Sequence, residues 1–374
     1  MDIIHFIDEL EKNHIDILCK DDLIRSLRKF SSMIGMNRIK TEFIKQIVLI
    51  IQLRREGKQM PVNKQHIVIS GPPGVGKSTA SICIAEILAC LETFNCRKEK
   101  EGVALRSKDA FNMVNILSET MTLIEKRYGE DREDEAYNNI CERLSQLVDI
   151  CDSKINPVDF DIGCCPDLPY VISNRSDFVG THVGHTSEKT KDFLENNVGK
   201  IIIVEEAYSL YEDDRDVFGK EALNIINQYM SEFPRDYIFI FNGYKDRLEN
   251  SIFKAQEGLS RRIQYRFDIE PYTSGELYLI FFRMLEEAGE WRLDFKLDSS
   301  FFKEKMKYFN NYAGDIERLI FHIQIAYGQY CRLHNKMLDC LINKEIFELG
   351  FSFFVQEKKS SVKEDCPYHH CMYG

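Results

Sequence analysis

The period of the apolar positions changes several times along the chain, and each change marks an element. Ile3, Phe6, Ile7 and Leu10 recur at helical spacing, so Met1 to Phe30 read as one or two amphipathic helices. Thr41 to Arg55 is a second helical stretch, and Pro61 breaks the pattern just before a short apolar run, Ile67 to Ser70. Further runs of the same kind are Tyr170 to Ser173, Ile201 to Val204 and Ile238 to Phe241, with a weaker alternating one at Ile263 to Phe267. Amphipathic segments separate most of them, and that alternation predicts a parallel sheet with helices packed on its faces. After Pro271 the strand-like runs largely stop. Helical segments follow at Ser274 to Glu287, Ser300 to Phe309, Asp315 to Cys331 and Lys344 to Gln356, with Thr273 and Glu276 at capping-box spacing before the first.

These boundaries divide the chain into an N-terminal helical segment (1–30), an α/β domain (31–270), a helical domain (271–356) and a tail (357–374) expected to be disordered. One segment exceeds a minimal α/β domain. Roughly seventy residues, Arg97 to Pro166, stand where a connection usually takes a few. Within them Tyr137, Ile140, Leu144, Leu147 and Ile150 are three or four apart, so the insertion contains at least one amphipathic helix. It either packs on the body of the domain or binds a partner.

Composition narrows the setting. A chain of 374 residues with 44% hydrophobic content buries a sizeable core. Met1 to Leu10 carry Asp2, Asp8 and Glu9 where a secretory leader would be basic and then apolar, and no apolar run approaches bilayer length. Twelve cysteines without a regular framework fit a reducing compartment. A cytoplasmic protein with no membrane partner is expected, with the nucleus as the other compartment. The net charge of −11 argues against wrapping nucleic acid over a broad surface and makes a protein partner the better expectation. Cys366, His369, His370 and Cys371 are residue types that bind zinc, but their spacing is too cramped for an ordinary four-ligand site.

The strongest chemical signal is Gly71-Pro72-Pro73-Gly74-Val75-Gly76-Lys77-Ser78, which matches the P-loop pattern in full. An apolar strand leads in, and a helix containing Ile82, Ala85, Ile87 and Leu88 leads out. Glycines let the backbone amides turn toward phosphates, the helix N-terminus favours anions, Lys77 reaches the β and γ phosphates, and the Ser78 hydroxyl suits Mg²⁺. The pattern therefore calls for ATP with magnesium.

A second signal is Ile201-Ile202-Ile203-Val204-Glu205-Glu206, a buried strand ending in two acids. Phosphoryl transfer needs charge neutralisation and a positioned water, so the first acid would serve the magnesium shell and Glu206 would be the general base. Glu205 stands where an aspartate is usual, and its extra methylene carries the carboxylate outward by about 1.5 Å. Two solvated acids capping a strand are the plainer reading of the same residues.

Together with these motifs, Phe178-Val179-Gly180-Thr181-His182-Val183-Gly184-His185-Thr186, then Ala207-Tyr208-Ser209-Leu210, Phe218-Gly219-Lys220-Glu221-Ala222 and Asn242-Gly243-Tyr244 resemble the CbbX/SpoVK branch of AAA+ ATPases, which includes the EccA-type proteins. The resemblance runs from about Ile34 to the helix around Arg318. It implies an αβα sandwich with a five-stranded parallel sheet, a small helical lid after it, and assembly as a ring, usually a hexamer. It implies that Ile34 and Gly35 border the adenine and that Thr79 joins the P-loop residues at the nucleotide. Arg261 and Arg262 fall where the family has its arginine finger, Arg262 fitting the spacing better, and Asn242 falls at the polar sensor of the γ-phosphate. His182 and Val183 fall in the pore segment that grips a protein client, where relatives usually have an aromatic residue before Val-Gly. Gly314 stands where many relatives have a sensor arginine, and Arg318, one turn on, is the candidate substitute.

Three function classes follow. One is a ring-forming ATPase that remodels a macromolecular client, expected to be a protein. The others are a non-hydrolysing nucleotide-dependent switch or scaffold, and an AAA+ motor directed at nucleic acid.

Overall fold

The computed structural model describes residues 3–12, 20–56, 58, 66–91, 169–182, 184–234, 236–334 and 339–364. The helix expected within 97–166, the break at Pro61, Val183 and the Cys366 to Cys371 cluster lie outside the described residues.

Helices α1 (Ile3–Lys12), α2 (Lys20–Ser32) and α3 (Asn37–Arg55) lead to strand β1 (His66–Ser70), and α4 (Lys77–Cys90) follows the P-loop. Next come β2 (Tyr170–Ser173), α5 (Arg175–Phe178), α6 (His185–Asn196), β3 (Lys200–Val204), α7 (Val217–Glu232) and β4 (Tyr237–Gly243). Three short helices, α8 (Lys245–Asn250), α9 (Ile252–Ala255) and α10 (Glu257–Arg262), then lead into β5 (Ile263–Asp268). The five strands form one parallel sheet in the order β2-β3-β4-β1-β5. β1 therefore lies between β4 and β5, with β2 and β5 at the edges.

The apolar runs are continuous because both faces of the sheet are covered, yet the period of two survives inside them. Ile67, Ile69, Ile201, Ile203, Ile238 and Ile240 enter one core, which also holds residues of α1 to α4 and of the helices after β5. Val68, Ile202, Val204, Tyr237, Phe239 and Phe241 enter a second core with α7 residues such as Leu223 and Ile226. Each such side chain fully buried is worth about 1.5–3 kcal/mol of transfer free energy.

The lid consists of α11 (Ser274–Glu287), β6 (Arg292–Leu293), α12 (Ser300–Lys305), α13 (Ala313–His334), β7 (Leu341–Ile342) and α14 (Lys344–Glu364). The Thr273–Glu276 capping box forms as the sequence predicts, Thr273 accepting from the Glu276 N–H and Glu276 from the Thr273 N–H. Aromatic rings fill the space between the helices, with Phe281 against Phe302 at 5.8 Å and Phe309 stacked on Phe354 at 5.5 Å.

The N-terminal helices pack on the body, with Phe6, Leu10, Leu23, Leu27 and Phe30 buried in the same core as β1 and α4. Three other expectations change. The helix expected at Ser300 to Phe309 ends at Lys305 and passes into a tighter turn at Met306–Tyr308. α14 runs eight residues past Gln356, to Glu364. Strands β6 and β7 pair in parallel within the lid, and two residues apiece are too few to leave a period in the sequence. Among the described residues no helix is long and apolar enough to cross a membrane.

Candidate active site

β1 ends at Ser70, whose hydroxyl lies 3.1 Å from Asp268 Oδ1 at the end of β5. The chain then turns through Gly71 at φ 156°, Gly74 at φ 71° and Gly76 at φ 82° before α4 begins at Lys77. A side chain at Gly71 would put its Cβ 2.8 Å from the Ile269 carbonyl, so both the dihedral and the space require glycine there. Positive φ at the last two glycines lets successive N–H groups converge on one point, and the N-terminus of a fourteen-residue helix adds its partial positive charge. Lys77 Nζ donates to the carbonyls of Gly71 (3.0 Å) and Pro72 (2.8 Å). Burial pushes the Lys77 ammonium below its ordinary range, while Glu205 and Glu206 act against that shift. Ser78 and Thr79 are exposed on the first turn of α4.

The sheet register brings the two acids to the same end. Ser70 pairs with Gly243 and Val204 with Phe241, so the residues that follow β3 and close β4 come level with the P-loop. Asn242 is fully buried, its Nδ2 donating to Glu205 Oε1 (2.9 Å) and its Oδ1 accepting from Ser81 Oγ (2.7 Å). Asn242 thus ties Glu205 to α4, and its amide keeps a second N–H beyond these two bonds. The second oxygen of Glu205 and the Ser78 hydroxyl are hard oxygen donors of the kind Mg²⁺ takes. Glu206 is exposed and sits in the left-handed region at φ 47°, a strained conformation for a side chain of this size. A tight turn, Ala207–Leu210, follows it. Arg175 holds this turn, donating to the carbonyls of Ser209 (2.9 Å) and Leu210 (3.0 Å) and to both Asp216 oxygens (2.6 and 2.9 Å).

The lid closes on the other side of the P-loop. The Ala313 N–H donates to the Gly74 carbonyl (3.2 Å), and the Tyr272 hydroxyl donates to that of Val75 (3.1 Å). A Cβ at Gly74 would stand 1.9 Å from the Asn311 carbonyl oxygen, so only glycine permits this seam. Half-buried Ile34 packs against the core that the lid shares. Gly35, at φ 70°, abuts Tyr272 and Glu276, and the Met36 side chain reaches Gly76. The segment expected to border the adenine therefore lies against both P-loop and lid. Gly314 has open space around its missing Cβ. Arg318, the candidate substitute, is largely exposed, with its guanidinium 3.5 Å from Glu357 on α14.

The two finger candidates differ in a way the sequence concealed. Arg262, favoured by spacing, is engaged within its own chain: Nε donates to Ser231 Oγ (2.7 Å) and Nη1 to Asn227 Oδ1 and the Gly258 carbonyl (both 2.9 Å). Arg261 projects with 82% of its side chain exposed, and its partner Glu257, 84% exposed, is 3.7 Å away. Within one chain Arg262 is thus engaged and Arg261 is extended toward solvent. His182 is exposed, its ring edge-on to His185 at 5.4 Å, in the loop beyond edge strand β2. Both arginines precede the opposite edge strand, β5.

Sequence reasoning passed over Tyr272, Arg175 and Arg247. A lone tyrosine or arginine carries no spacing signal, and only the fold brings Tyr272 to the P-loop, Arg175 to the turn after Glu206 and Arg247 to the rings of Tyr208 and Tyr244.

No family model matches the chain. The chain is 26% identical over 348 residues to a CfxQ-like protein of Acanthamoeba polyphaga mimivirus, covering 92% of this chain and 67% of that one. It is 37% identical over 141 residues to the CfxQ homolog of Guillardia theta, covering 37% of this chain and 47% of the relative. It is 38% identical over 126 residues to the chromosomal CbxX protein of Cupriavidus necator, covering 33% and 39%. The match thus spans less than half the length of the latter two. A RuvB mutant of Thermotoga maritima superposes with a TM-score of 0.45 at 11% identity over 87% of this chain and 72% of that one, too slight a likeness to bear on function. The resemblance to the CbbX-like AAA+ branch that the motifs carry holds in these relatives too, and the five-stranded sheet with its flanking helices and lid is a P-loop αβα fold.

Proposed function

We propose that this relative of the CfxQ and CbxX proteins binds ATP with magnesium at the P-loop, hydrolyses it, and uses the turnover in a ring to remodel a protein client. The observation that carries the reading is the meeting at one sheet end of a glycine cradle after β1, a half-buried lysine held by neutral carbonyls, and two acids after β3, with β4 between. In this reading Gly71 to Thr79 hold the phosphates and Lys77 leaves its carbonyls for the β and γ oxygens. Ser78 and Glu205 would hold a Mg²⁺ ion, whose charge would offset that of the phosphates. Glu206 takes the proton of the attacking water. A guanidinium from the neighbouring subunit stabilises the transferring phosphate, and exposed Arg261 reaches outward without first breaking hydrogen bonds.

The test is paired. Lys77→Ala should lose ATP affinity, whereas Glu206→Gln should bind as the parent does and lose turnover. Unchanged affinity in the first variant would refute the cradle assignment. Turnover per chain should rise with protein concentration if the site is completed in trans, and Arg261→Ala should keep binding and lose that rise.

A second reading, a nucleotide-dependent switch without turnover, draws on Glu205 at the place of the usual aspartate. Saturable ATP binding with no phosphate release from the parent would decide for it. The client segment around His182 and Val183 belongs to the first reading, and capture of a protein by a Glu206→Gln ring with ATP is its measurement.

A further inference from the structure

Two successive carbonyls of the P-loop are spent on the lid side of the molecule. The Val75 carbonyl accepts from the hydroxyl of Tyr272 (3.1 Å), a buried residue between β5 and α11. The Gly74 carbonyl accepts from the N–H of Ala313 (3.2 Å), the first residue of α13. A peptide unit is planar and trans, so its C=O and its N–H point in opposite directions. The Gly74 carbonyl shares a plane with the Val75 N–H, and the Val75 carbonyl shares one with the Gly76 N–H. Holding both oxygens toward the lid therefore turns both N–H groups away from it, into the loop. Among the described residues no backbone carbonyl accepts from either of these N–H groups.

The two donors are themselves held in place. The Tyr272 ring lies edge-on to that of Tyr312 at 6.1 Å, and a Cβ at Gly35 would stand 2.9 Å from its Cε1. Tyr312, next to Ala313, sits in the left-handed region at φ 44°, a conformation that persists in a bulky residue only where the surroundings impose it. The buried Asp315 carboxylate supplies that constraint, accepting from the Asn311 N–H on one oxygen (2.7 Å) and from Lys358 on the other (2.6 Å). The turn from Asn311 to Asp315 is thus pinned on both sides of the N–H that it presents to Gly74.

We propose that Tyr272 is a positioning residue for phosphate binding: its hydroxyl, together with the Ala313 N–H, braces the P-loop from behind and preorganises the Val75 and Gly76 N–H groups for a phosphate chain. This role presupposes the ATP-binding reading above and deepens it. Donors fixed in advance do not have to be ordered by the ligand, and affinity gains what that ordering would cost. The lid then acts on the phosphates through the backbone of the loop. A lid that swings away releases both peptide planes, and by linkage a phosphate chain in the loop strengthens the lid's hold on it.

The experiment uses the full chain in Mg²⁺ buffer, with ATP and with inorganic tripolyphosphate, which has the phosphate chain and no adenine. Tyr272→Phe deletes one hydroxyl and keeps the ring against Tyr312. Its affinity for both probes should fall by the same factor, about three- to tenfold, the scale of one neutral hydrogen bond. A loss confined to ATP would place Tyr272 at the base and overturn the brace, as would tripolyphosphate affinity within about 1.5-fold of the parent. Hydrogen exchange supplies a second readout that needs no variant. Saturating tripolyphosphate should slow exchange in the segment 311–315 of the parent, and the slowing should shrink in Tyr272→Phe. If the variant does not fold, the parent decides: unchanged exchange there overturns the brace. A parent that binds neither probe overturns the ATP-binding reading and this role with it, whereas a parent that binds both beside an unaffected Tyr272→Phe overturns this role alone.

Discussion

Two of the lysines drawn out of water, one in the lid and one in the cradle, are answered differently. In the lid, Lys358 Nζ lies 2.6 Å from Asp315 Oδ1, with 18% of the lysine side chain and none of the aspartate exposed. The other carboxylate oxygen accepts from the Asn311 N–H (2.7 Å). In the cradle, Lys77 is given only two carbonyl oxygens and an aromatic face, and the two acids act on it from farther off. A cation locked to a buried carboxylate is a fixture, since moving either partner strands the other charge. A cation held by dipoles can pass to an incoming anion at little cost. Of these two lysines, the one with a buried counter-charge is fixed and the one without it is free to move.

The sharpest way to break this comparison is to remove each ammonium in turn. Lys358→Met leaves Asp315 as a lone buried carboxylate and should destabilise the lid by about 3–5 kcal/mol. Trp291, the chain's one tryptophan, packs 5.0 Å from Tyr327 in the lid, so its fluorescence during urea unfolding reports the change. Adding Asp315→Asn to Lys358→Met should recover most of the loss. Lys77→Met should shift the same transition by less than about 1 kcal/mol while abolishing nucleotide binding. Equal destabilisation by the two single variants would erase the distinction.

His66 sharpens the comparison with a third buried base that has a neutral partner. It is 1% exposed, accepts from the Phe239 N–H through Nδ1 (3.2 Å), and burial pushes its imidazole down to about 3, with Arg262 adding to the shift. An unfolded histidine takes up its proton near 6.5, so below that pH the unfolded chain binds a proton that the native state refuses. Stability is full above pH 6.5 and falls as pH drops toward 3, by about 1.4 kcal/mol per unit, or about 2 kcal/mol by pH 5. Urea midpoints measured from pH 7 to 5 should show this slope, and His66→Gln should flatten it.

The smallest effect is expected at Gly314, whose backbone lies against Gly74 and whose Cβ would meet nothing. Gly314→Arg should raise lid stability by about 0.5–1 kcal/mol through the helix and leave the seam intact. It should tighten ATP binding a few-fold if a cation there reaches the phosphates. Titration calorimetry of parent and variant decides this.

How much of this was legible in the sequence depends on the range of the interaction. All five strands and the start of α11 were readable, because period, capping spacing and glycine patterns are written within a few residues. The cradle from Gly71 to Ser78 and the acids Glu205 and Glu206 were readable for the same reason. The contacts of Asn242 were not, since its partners Ser81 and Glu205 are 161 and 37 positions away and meet it only through the fold. Arg261 and Arg262 are neighbours in sequence, and what tells them apart is Ser231 and Asn227 on α7, some thirty positions earlier. The continuity of the N-terminal helices with the lid core was hidden likewise. An amphipathic face shows that something covers it but not what.

The sheet separates two cores, and only one of them includes the lid. Successive residues of a single strand therefore belong to different mechanical neighbourhoods. Ile67 and Ile69 share packing with Leu277, Phe281 and Ile316, whereas Val68 between them belongs with Phe239 and Leu259. A shift of the lid is transmitted by contact to every second side chain of β1, while those between are shielded by the plane of peptide groups that joins them. The strand behaves as a membrane between two rooms: pressure on one side reaches the other only where the sheet ends, at the row of residues that runs from Gly71 through Asn242 to Glu206.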